Sequence, residues 1–248
     1  MLAAQDITVT RGGHPALHGV TAALRPGMVT AICGPNGAGK STLLATLAGL
    51  LKPQGGTVTL DGAPLAALPP RARARAIGFL PQAGEVAWDM AVAQLVALGR
   101  LPHGDAQGAG RARIDAALAA MALEPLAARP VSRLSGGERA RVLLARVLAG
   151  DPRWILADEP LAALDLAHQI ALLARLRQAA RDGAGVVLVV HDLALAMNHA
   201  DRVLVLDRGR LAADGPAGEA LAEEVIARVW GVDVRWLGEP GARALVTG

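Results

Sequence analysis

The stretch GPNGAGKS, residues 34–41, has the residue types and spacing of a phosphate-binding loop, G-x-x-x-x-G-K-[ST]. It follows the apolar run VTAIC at 29–33 and precedes a helical pattern that begins near Lys40, which is the context that this motif requires. Glycines let backbone N–H groups surround phosphate oxygens, and a helix N-terminus adds a positive dipole. We therefore expect Lys40 to reach the β- and γ-phosphates of a nucleotide and Ser41 to hold Mg²⁺. The residues expected to surround the nucleotide are Gly34, Pro35, Asn36, Gly37, Ala38, Gly39, Lys40, Ser41 and Thr42.

Lysine is rare in this chain, which makes the lysine of the loop informative. Only two of the 25 basic residues are lysines, Lys40 and Lys52. The ammonium group is a compact point charge, whereas the guanidinium is a planar fork. A chain that uses arginine almost everywhere else is expected to need the compact charge at Lys40.

Two adjacent acids end the apolar segment WILADE, residues 154–159. A carboxylate at the end of a buried strand suits Mg²⁺ coordination through water, and a second one beside it can polarise an attacking water molecule. We assign these roles to Asp158 and Glu159 respectively. A solvated strand end is the plain alternative for an isolated pair of acids, but the phosphate loop upstream favours the catalytic interpretation.

Two further polar residues follow apolar segments, Gln82 after FLP and His191 after VVLVV. Taken alone, each is more often a structural residue than a functional one. In a parallel α/β sheet, however, the carboxyl ends of the strands meet at the edge where nucleotides bind. We expect both side chains to emerge at the same edge as the phosphate loop and the acid pair.

The segment LSGGE, residues 134–138, places two glycines where a helix should begin. From Glu138 onward the pattern is helical, and a helical glycine costs roughly 1 kcal/mol relative to alanine. A capping box is one explanation, with Ser135 as the N-cap and Glu138 three residues later. Capping alone does not require Gly136 and Gly137, so a close approach to a ligand is expected as well.

The order of these motifs resembles the ATPase subunits of ABC transporters, and the resemblance covers about residues 2–237. The most specific motif is LSGGE, because other P-loop families lack it. The resemblance implies a head-to-tail dimer in which the LSGGE segment of one chain binds the ATP held by the phosphate loop of the other. The residues that would do so are Ser135, Gly136, Gly137 and Glu138.

The resemblance also implies roles for the other site residues, with ATP and Mg²⁺ as cofactors. Glu159 would be the catalytic base and His191 a switch that contacts the γ-phosphate, with Gln82 and Lys40 completing the catalytic set. The Mg²⁺ would be held by Ser41, Gln82 and Asp158. Asp165, in LAALD, would belong to a loop that communicates across the dimer.

This chain departs from the family pattern in two places. The loop that contains Asp165 usually begins with Ser, and Ala162 stands there instead, so one hydrogen bond across the dimer is in doubt. The aromatic residue that usually stacks on adenine, near residues 10–14, is also missing, and Arg11 or His14 occupies that stretch. Adenine is expected to stack on Arg11 or to be bound weakly.

Apolar strands that alternate with helical patterns predict an α/β protein with a parallel sheet covered on both faces. The resemblance implies a P-loop NTPase with a RecA-like sheet core, a small antiparallel β subdomain and an α-helical subdomain inserted at about 88–150. The ATP-binding domain would span 2–237, and 238–248 would be a C-terminal tail. Residues 104–110 are expected to form a glycine-rich loop that splits two helices of the insert.

The composition limits the classes of protein that the chain can represent. Aromatic residues make up 2% of the 248 residues and the net charge is +3, which does not favour nucleic-acid binding through stacked bases. A single cysteine, Cys33, fits a reducing compartment. No apolar run approaches the roughly 20 residues of a membrane span, and the start, MLAAQDITVTR, lacks the pattern of a signal peptide. We expect a cytoplasmic protein.

The segments VALGRLPHG (96–104) and LDLAHQ (164–169) resemble the importers of iron–siderophore, haem and cobalamin. Such a subunit would work on the inner face of the cell membrane with integral permease subunits, a second copy of itself and, indirectly, a periplasmic or lipoprotein substrate-binding protein. A soluble ABC ATPase acting on DNA or ribosomes, an importer ATPase for another cargo such as metal ions, and a phosphotransferase on the P-loop scaffold remain alternatives. The first and the last are disfavoured because the chain has no long coiled-coil or zinc insertion and because a phosphotransferase has no use for LSGGE.

Overall fold

The computed structural model describes residues 1–82, 89–105, 108–162 and 164–247. The predicted loop 104–110 and the predicted insert 88–150 include positions 88, 106 and 107, which lie outside the described residues, as does position 248 of the predicted tail. The strands, numbered β1–β12 in chain order, are Leu2–Arg11, His14–Leu24, Val29–Cys33, Gly55–Leu60, Ala63–Pro64, Ile77–Leu80, Trp154–Asp158, Gly185–Val189, Arg202–Asp207, Arg210–Gly215, Val234–Leu237 and Ala244–Thr247. The α-helices, numbered α1–α9, are Lys40–Leu47, Pro70–Ala76, Val92–Ala97, Ala109–Ala120, Gly136–Ala149, Leu166–Arg181, Leu193–His199, Ala217–Ala220 and Glu223–Trp230. Short 3₁₀ turns span Leu65–Ala67, Leu98–Arg100, Glu124–Leu126 and Val131–Arg133.

The central sheet has six strands in the order β10-β9-β3-β8-β7-β6. All neighbouring pairs are parallel except β10 with β9. Strands β3, β7 and β8 are buried at every position, as expected for parallel strands that are covered on both faces. The α/β fold with a parallel core predicted from the sequence is therefore confirmed.

Alternate residues along the central strands belong to two separate hydrophobic cores. Ile32, Leu156 and Val187 pack on one face with helix α1 and with a four-stranded sheet of order β2-β1-β4-β5. On the opposite face, Ala31 and Leu188 pack in a core that includes helices α3 to α9. Because side chains alternate across a strand, each central strand contributes to both cores. Helix α1, which begins at the phosphate loop, is thus enclosed between two sheets.

The predicted antiparallel β piece and helical insert are both present. Strand β1 pairs antiparallel with β2 and with β4. Helices α3, α4 and α5 pack against one another in the chain between β6 and β7. Helix α5 is buried around most of its circumference in its second half, at Val142, Leu143, Leu144, Ala145 and Val147, whereas most of its charged residues lie in its first two turns. The insert therefore holds α5 in a helical unit that packs against β6 at one edge of the central sheet.

The C-terminal part differs in detail from the sequence-based expectation. Residues 217–230 form two helices, α8 and α9, which are separated at Leu221 and Ala222. Within residues 238–247, expected as a tail, Ala244–Thr247 form strand β12, which pairs antiparallel with β11. The side chain of Asn198 exchanges two hydrogen bonds with the backbone of Arg243, at 2.7 and 2.8 Å, and so attaches this hairpin to α7.

Candidate active site

The phosphate loop connects β3 to α1, and its glycines are required by their surroundings. Gly34 has a φ of 150°, and a Cβ atom there would lie 2.2 Å from the carbonyl oxygen of Leu206. Gly39, the N-cap of α1, has a φ of 100°, and its Cβ would lie 2.6 Å from the carbonyl oxygen of Ala16. No other residue type fits these two positions without displacing backbone, which explains the glycine spacing of the motif.

Lys40 is the first residue of α1 and is only 6% exposed. Its Nζ donates to the carbonyl oxygens of Gly34 and Pro35, at 2.9 Å each. Burial lowers the pKa of Lys40, and the neighbouring carboxylates of Glu159 and Asp158 oppose this effect. The ammonium group is therefore held over the loop, at the position where it can meet phosphate oxygens.

Ser41 and Asp158, two of the predicted Mg²⁺ ligands, contact each other. The Oγ of Ser41 donates to Oδ1 of Asp158 over 3.1 Å, and Asp158 is 6% exposed. Burial raises the pKa of Asp158, and the hydrogen bond from Ser41 opposes this rise. Hydroxyl and carboxylate oxygens are the ligands that Mg²⁺ prefers, and this ion commonly takes its remaining ligands from phosphates and water. The Ser41 hydroxyl and the Asp158 carboxylate provide two such oxygen donors, which fits an ion that takes its remaining ligands from a nucleotide and water.

Glu159 accepts hydrogen bonds at both oxygens of its carboxylate. Nε2 of Gln82 lies 2.7 Å from Oε2, and Nε2 of His191 lies 2.5 Å from Oε1. A carboxylate only accepts hydrogen bonds, so the His191 nitrogen that faces Glu159 carries a proton. Gln82, Glu159 and His191 follow the ends of β6, β7 and β8, and they contact one another through the carboxylate of Glu159. The sequence predicted that they would lie at the same edge of the sheet.

These groups line one open cleft of about 500 Å³ at the carboxyl edge of the central sheet. The cleft contains most of the predicted site: the loop residues from Asn36 to Thr42, together with Gln82, Glu159 and His191. Ala16 of β2 also lines it, and sequence reasoning missed this residue because a small apolar side chain in a strand carries no functional signal. The cleft can hold a phosphate chain beside a cation, with a carboxylate placed to polarise water.

The LSGGE segment lies apart from this cleft. Ser135 is the N-cap of α5, and the predicted capping box is present: Ser135 N donates to Oε2 of Glu138 over 2.8 Å, and Glu138 N donates to Ser135 Oγ over 3.2 Å. The hydrogen bond from the Ser135 backbone lowers the pKa of Glu138. A Cβ atom at Gly136 would have nothing within 4 Å in this chain. The structure of the single chain therefore explains the cap but does not explain this glycine.

Asp165 also lies outside the cleft lining and serves as the N-cap of α6. Its Oδ1 accepts from the backbone N of His168 over 2.9 Å and lies 2.7 Å from Nδ1 of the same residue. These contacts lower the pKa of Asp165. Arg11 and His14, the candidates for contact with adenine, face each other across the β1–β2 turn; both are exposed and neither lines the cleft.

Comparisons with known proteins agree with this site. A family model described as ABC transporter matches residues 17–162. The hemin import ATP-binding protein HmuV of Nocardia farcinica is 48% identical over 246 residues, which cover 96% of this chain and 85% of that protein. The protein of the same name from Rhodococcus jostii is 45% identical over 244 residues, which cover 96% of this chain and 82% of that protein.

Solved structures agree as well. The dimeric ATP-binding cassette MJ0796, bound to ADP and Pi in a post-hydrolysis state, superimposes with a TM-score of 0.78 at 29% identity, covering 88% of this chain and 99% of that one. The fold and the phosphate loop define a P-loop NTPase. The chain belongs to the ABC transporter family and is an ATP-binding subunit of an ABC importer, an ATPase whose activity is coupled to transport. Across the described residues, no helix has the length and apolar character needed to cross a bilayer.

The first prediction concerns the buried ammonium of Lys40. Replacing it by arginine keeps the charge but places a planar fork where Nζ now bonds two carbonyls. We expect Lys40→Arg to weaken ATP binding by about tenfold or more, measured by equilibrium titration with a fluorescent ATP analogue. Lys52→Arg, at the exposed second lysine, is the matched control and should bind as the wild type does. Unchanged affinity in Lys40→Arg would show that only the charge matters.

Proposed function

We propose that this subunit hydrolyses ATP with Glu159 as the general base and Mg²⁺ held by Ser41 and Asp158. The geometry at Glu159 supports this most directly. Its carboxylate stands at the edge of the cleft, oriented by Gln82 and His191, and beside the buried ammonium of Lys40. A base oriented from both sides keeps a fixed lone-pair direction toward an attacking water molecule.

The remaining roles follow from the position of each group in the cleft. Lys40 and the N–H groups of the loop neutralise charge that develops on the β- and γ-phosphates. Mg²⁺, when bound, supplies further neutralisation and orients the phosphates. Gln82 lies near enough to contact the same water and ion, since its amide already reaches Glu159. His191 contacts the γ-phosphate, since its ring lines the cleft and its side chain is 47% exposed.

The second half of the site would come from another copy of this chain. Ser135, Gly136 and Gly137 present a hydroxyl, backbone N–H groups and a helix N-terminus that their own chain leaves facing outward. The free space at Gly136 is accounted for if a γ-phosphate bound by the partner approaches there. A dimeric structure in the same family supports association of two cassettes. Head-to-tail pairing then gives two ATP sites per dimer.

For the transported cargo we propose haem. Two relatives that match nearly the whole chain at 45% and 48% identity are hemin import ATP-binding proteins. The subunit would act at the inner face of the cell membrane on permease subunits, which receive cargo from a substrate-binding protein. Iron–siderophore, cobalamin and metal ions are the competing cargoes, and they are separated by experiment below.

The second prediction tests the base. In Glu159→Gln the shape of the side chain is kept, but its ability to take a proton is lost. Steady-state ATPase activity should fall by about 10²- to 10⁴-fold, while ATP affinity stays within about twofold of the wild type. Glu224→Gln, at an exposed carboxylate of α9, is the matched control and should be fully active. Activity within a factor of two in Glu159→Gln would reject Glu159 as the base.

The third prediction tests the division of each site between two chains. Ser135→Arg should bind ATP nearly normally, because its own phosphate loop is untouched, yet be inactive as a homodimer, because a bulky cation blocks the approach of the partner's γ-phosphate. Mixing it with Lys40→Ala should restore activity. A head-to-tail heterodimer has one site with both lesions and one intact site, so recovery of up to about half of the wild-type rate per heterodimer is expected on the two-site model. Full activity of Ser135→Arg alone would show that the segment is only a helix cap.

The fourth prediction tests the cargo. Cells that lack this gene should lose uptake of radiolabelled haem, and the wild-type gene should restore it, whereas Glu159→Gln should not. Uptake of a ferric siderophore, cobalamin and free metal ions should be unchanged in the same cells. Loss of one of these in place of haem uptake would reassign the cargo while leaving the ATPase assignment intact.

A further inference from the structure

The side chain of Gln169 holds the segment that directly follows Glu159. Nε2 of Gln169, on α6, donates to two backbone carbonyl oxygens of this segment, that of Leu161 over 3.2 Å and that of Leu164 over 3.1 Å. Ala162, which lies between them, has no polar side-chain atom with which to hold the segment. One amide group therefore ties two points of the chain between the catalytic carboxylate and the next helix.

Packing holds this segment on one side, where the side chains of Leu161 and Leu164 are buried in the hydrophobic core. On another side it borders an open pocket of about 170 Å³, lined by Glu159, Leu161, Ala162, Gln169, His191 and Leu195. Where the segment borders this pocket it lacks the close-packed neighbours of a protein interior. The hydrogen bonds from Gln169 are for this reason more important here than they would be in a filled core.

The backbone of Glu159 itself needs support. Its φ is 50°, in the left-handed region that a residue with a Cβ rarely adopts. Such a conformation persists when the surrounding structure holds it. Glu159 N donates to the carbonyl oxygen of Val189 over 3.2 Å, and the carbonyl oxygen of Glu159 accepts from Ala162 N over 3.3 Å. The second of these contacts belongs to the turn that Gln169 holds.

The start of α6 aims Gln169 at this turn. Asp165 caps the helix through His168, which fixes the first turn in place. Gln169 lies on that first turn, and its backbone N donates to the carbonyl oxygen of Asp165 over 2.9 Å. Long side chains on a helix point back toward its N-terminus, which is where Leu161 and Leu164 present their carbonyls. The cap by Asp165 thus positions Gln169, and the amide of Gln169 in turn holds the segment that follows Glu159.

We propose that Gln169 is a positioning residue for ATP hydrolysis: its amide holds the backbone at Leu161 and Leu164 and thereby the backbone conformation of Glu159. The inference rests on the proposed role of Glu159 as the base. Gln169 does not contact the phosphate loop, which binds ATP through separate residues. Loss of the amide should accordingly slow the chemical step and leave nucleotide binding unchanged.

The fifth prediction uses two variants that remove both donors. Gln169→Glu keeps the shape and sets a carboxylate against two carbonyl oxygens, and Gln169→Leu removes the polar group without adding charge. In each, kcat for ATP hydrolysis should fall by about tenfold while KM for ATP stays within about twofold. Hydrogen exchange of the peptide that spans 160–165 should be faster than in the wild type, and exchange in 34–42 should be unchanged.

The matched control is Gln178→Glu, an exposed glutamine on the same helix that bonds to Asp182 and Arg181. It makes the same change in charge on α6 and should retain wild-type kcat. The proposal is overturned if both Gln169 variants, shown to be folded by their circular dichroism, keep kcat within a factor of two, or if Gln178→Glu loses as much activity. The outcome is separable from the role of the base: an inactive Glu159→Gln beside normal Gln169 variants rejects only the positioning role, whereas an active Glu159→Gln rejects the base itself.

Discussion

The parallel pairing of β3, β8 and β7 is the constraint on which the whole site depends. In this register Ile32 lies opposite Val189, and Val189 lies opposite Asp158, so the three strands end at the same level. Lys40, Glu159 and His191 follow the ends of these three strands, and Gln82 follows β6, which pairs in parallel with β7. A shift of one residue in any pair would turn the side chains of that strand to the opposite face of the sheet. The all-buried strands, which serve two cores at once, make such a shift very unfavourable.

Charge is concentrated where the strands end, and it is balanced locally. The ammonium of Lys40 lies among the carboxylates of Asp158 and Glu159, and burial acts against the charged form of both Lys40 and Asp158. Hydrogen bonds from Ser41 and to the carbonyls of the loop compensate for the lost water. This arrangement favours binding of an anion together with a divalent cation, because the ammonium of Lys40 attracts the anion and the carboxylates of Asp158 and Glu159 attract the cation.

In the helical insert, the start of α5 combines a structural role as a helix cap with an N-terminus that remains available for binding. Helix α5 begins with a capping box that satisfies its own first turn, so Ser135 and Glu138 have a structural role in the isolated subunit. The same helix start does not line the cleft, and it has open space at Gly136. Stability of the helix and availability of its N-terminus are compatible, because the cap uses side-chain oxygens and leaves other backbone N–H groups free.

The sequence by itself determined the class of protein, the order of the elements and nearly all of the residues in the cleft. This was possible because a phosphate loop depends on local backbone geometry: Gly34 and Gly39 are demanded by their own φ values and close contacts, and the helix after them follows directly. Short apolar runs such as WILA and VVLV likewise predicted buried strands, and β7 and β8 are buried at every position. What depends on neighbouring residues in the chain was therefore readable.

Only the tertiary structure decided what depends on residues far apart in the chain. Strand β8 lies between the phosphate-loop strand and the strand of Asp158, which no local pattern specifies, yet Ser41 still reaches Asp158 across it. The left-handed backbone of Glu159 and the tie from Gln169 to the turn behind it have no signature in composition or periodicity. The pairing of 244–247 with β11 was equally hidden, because two short strands stabilise each other only once the fold brings them together.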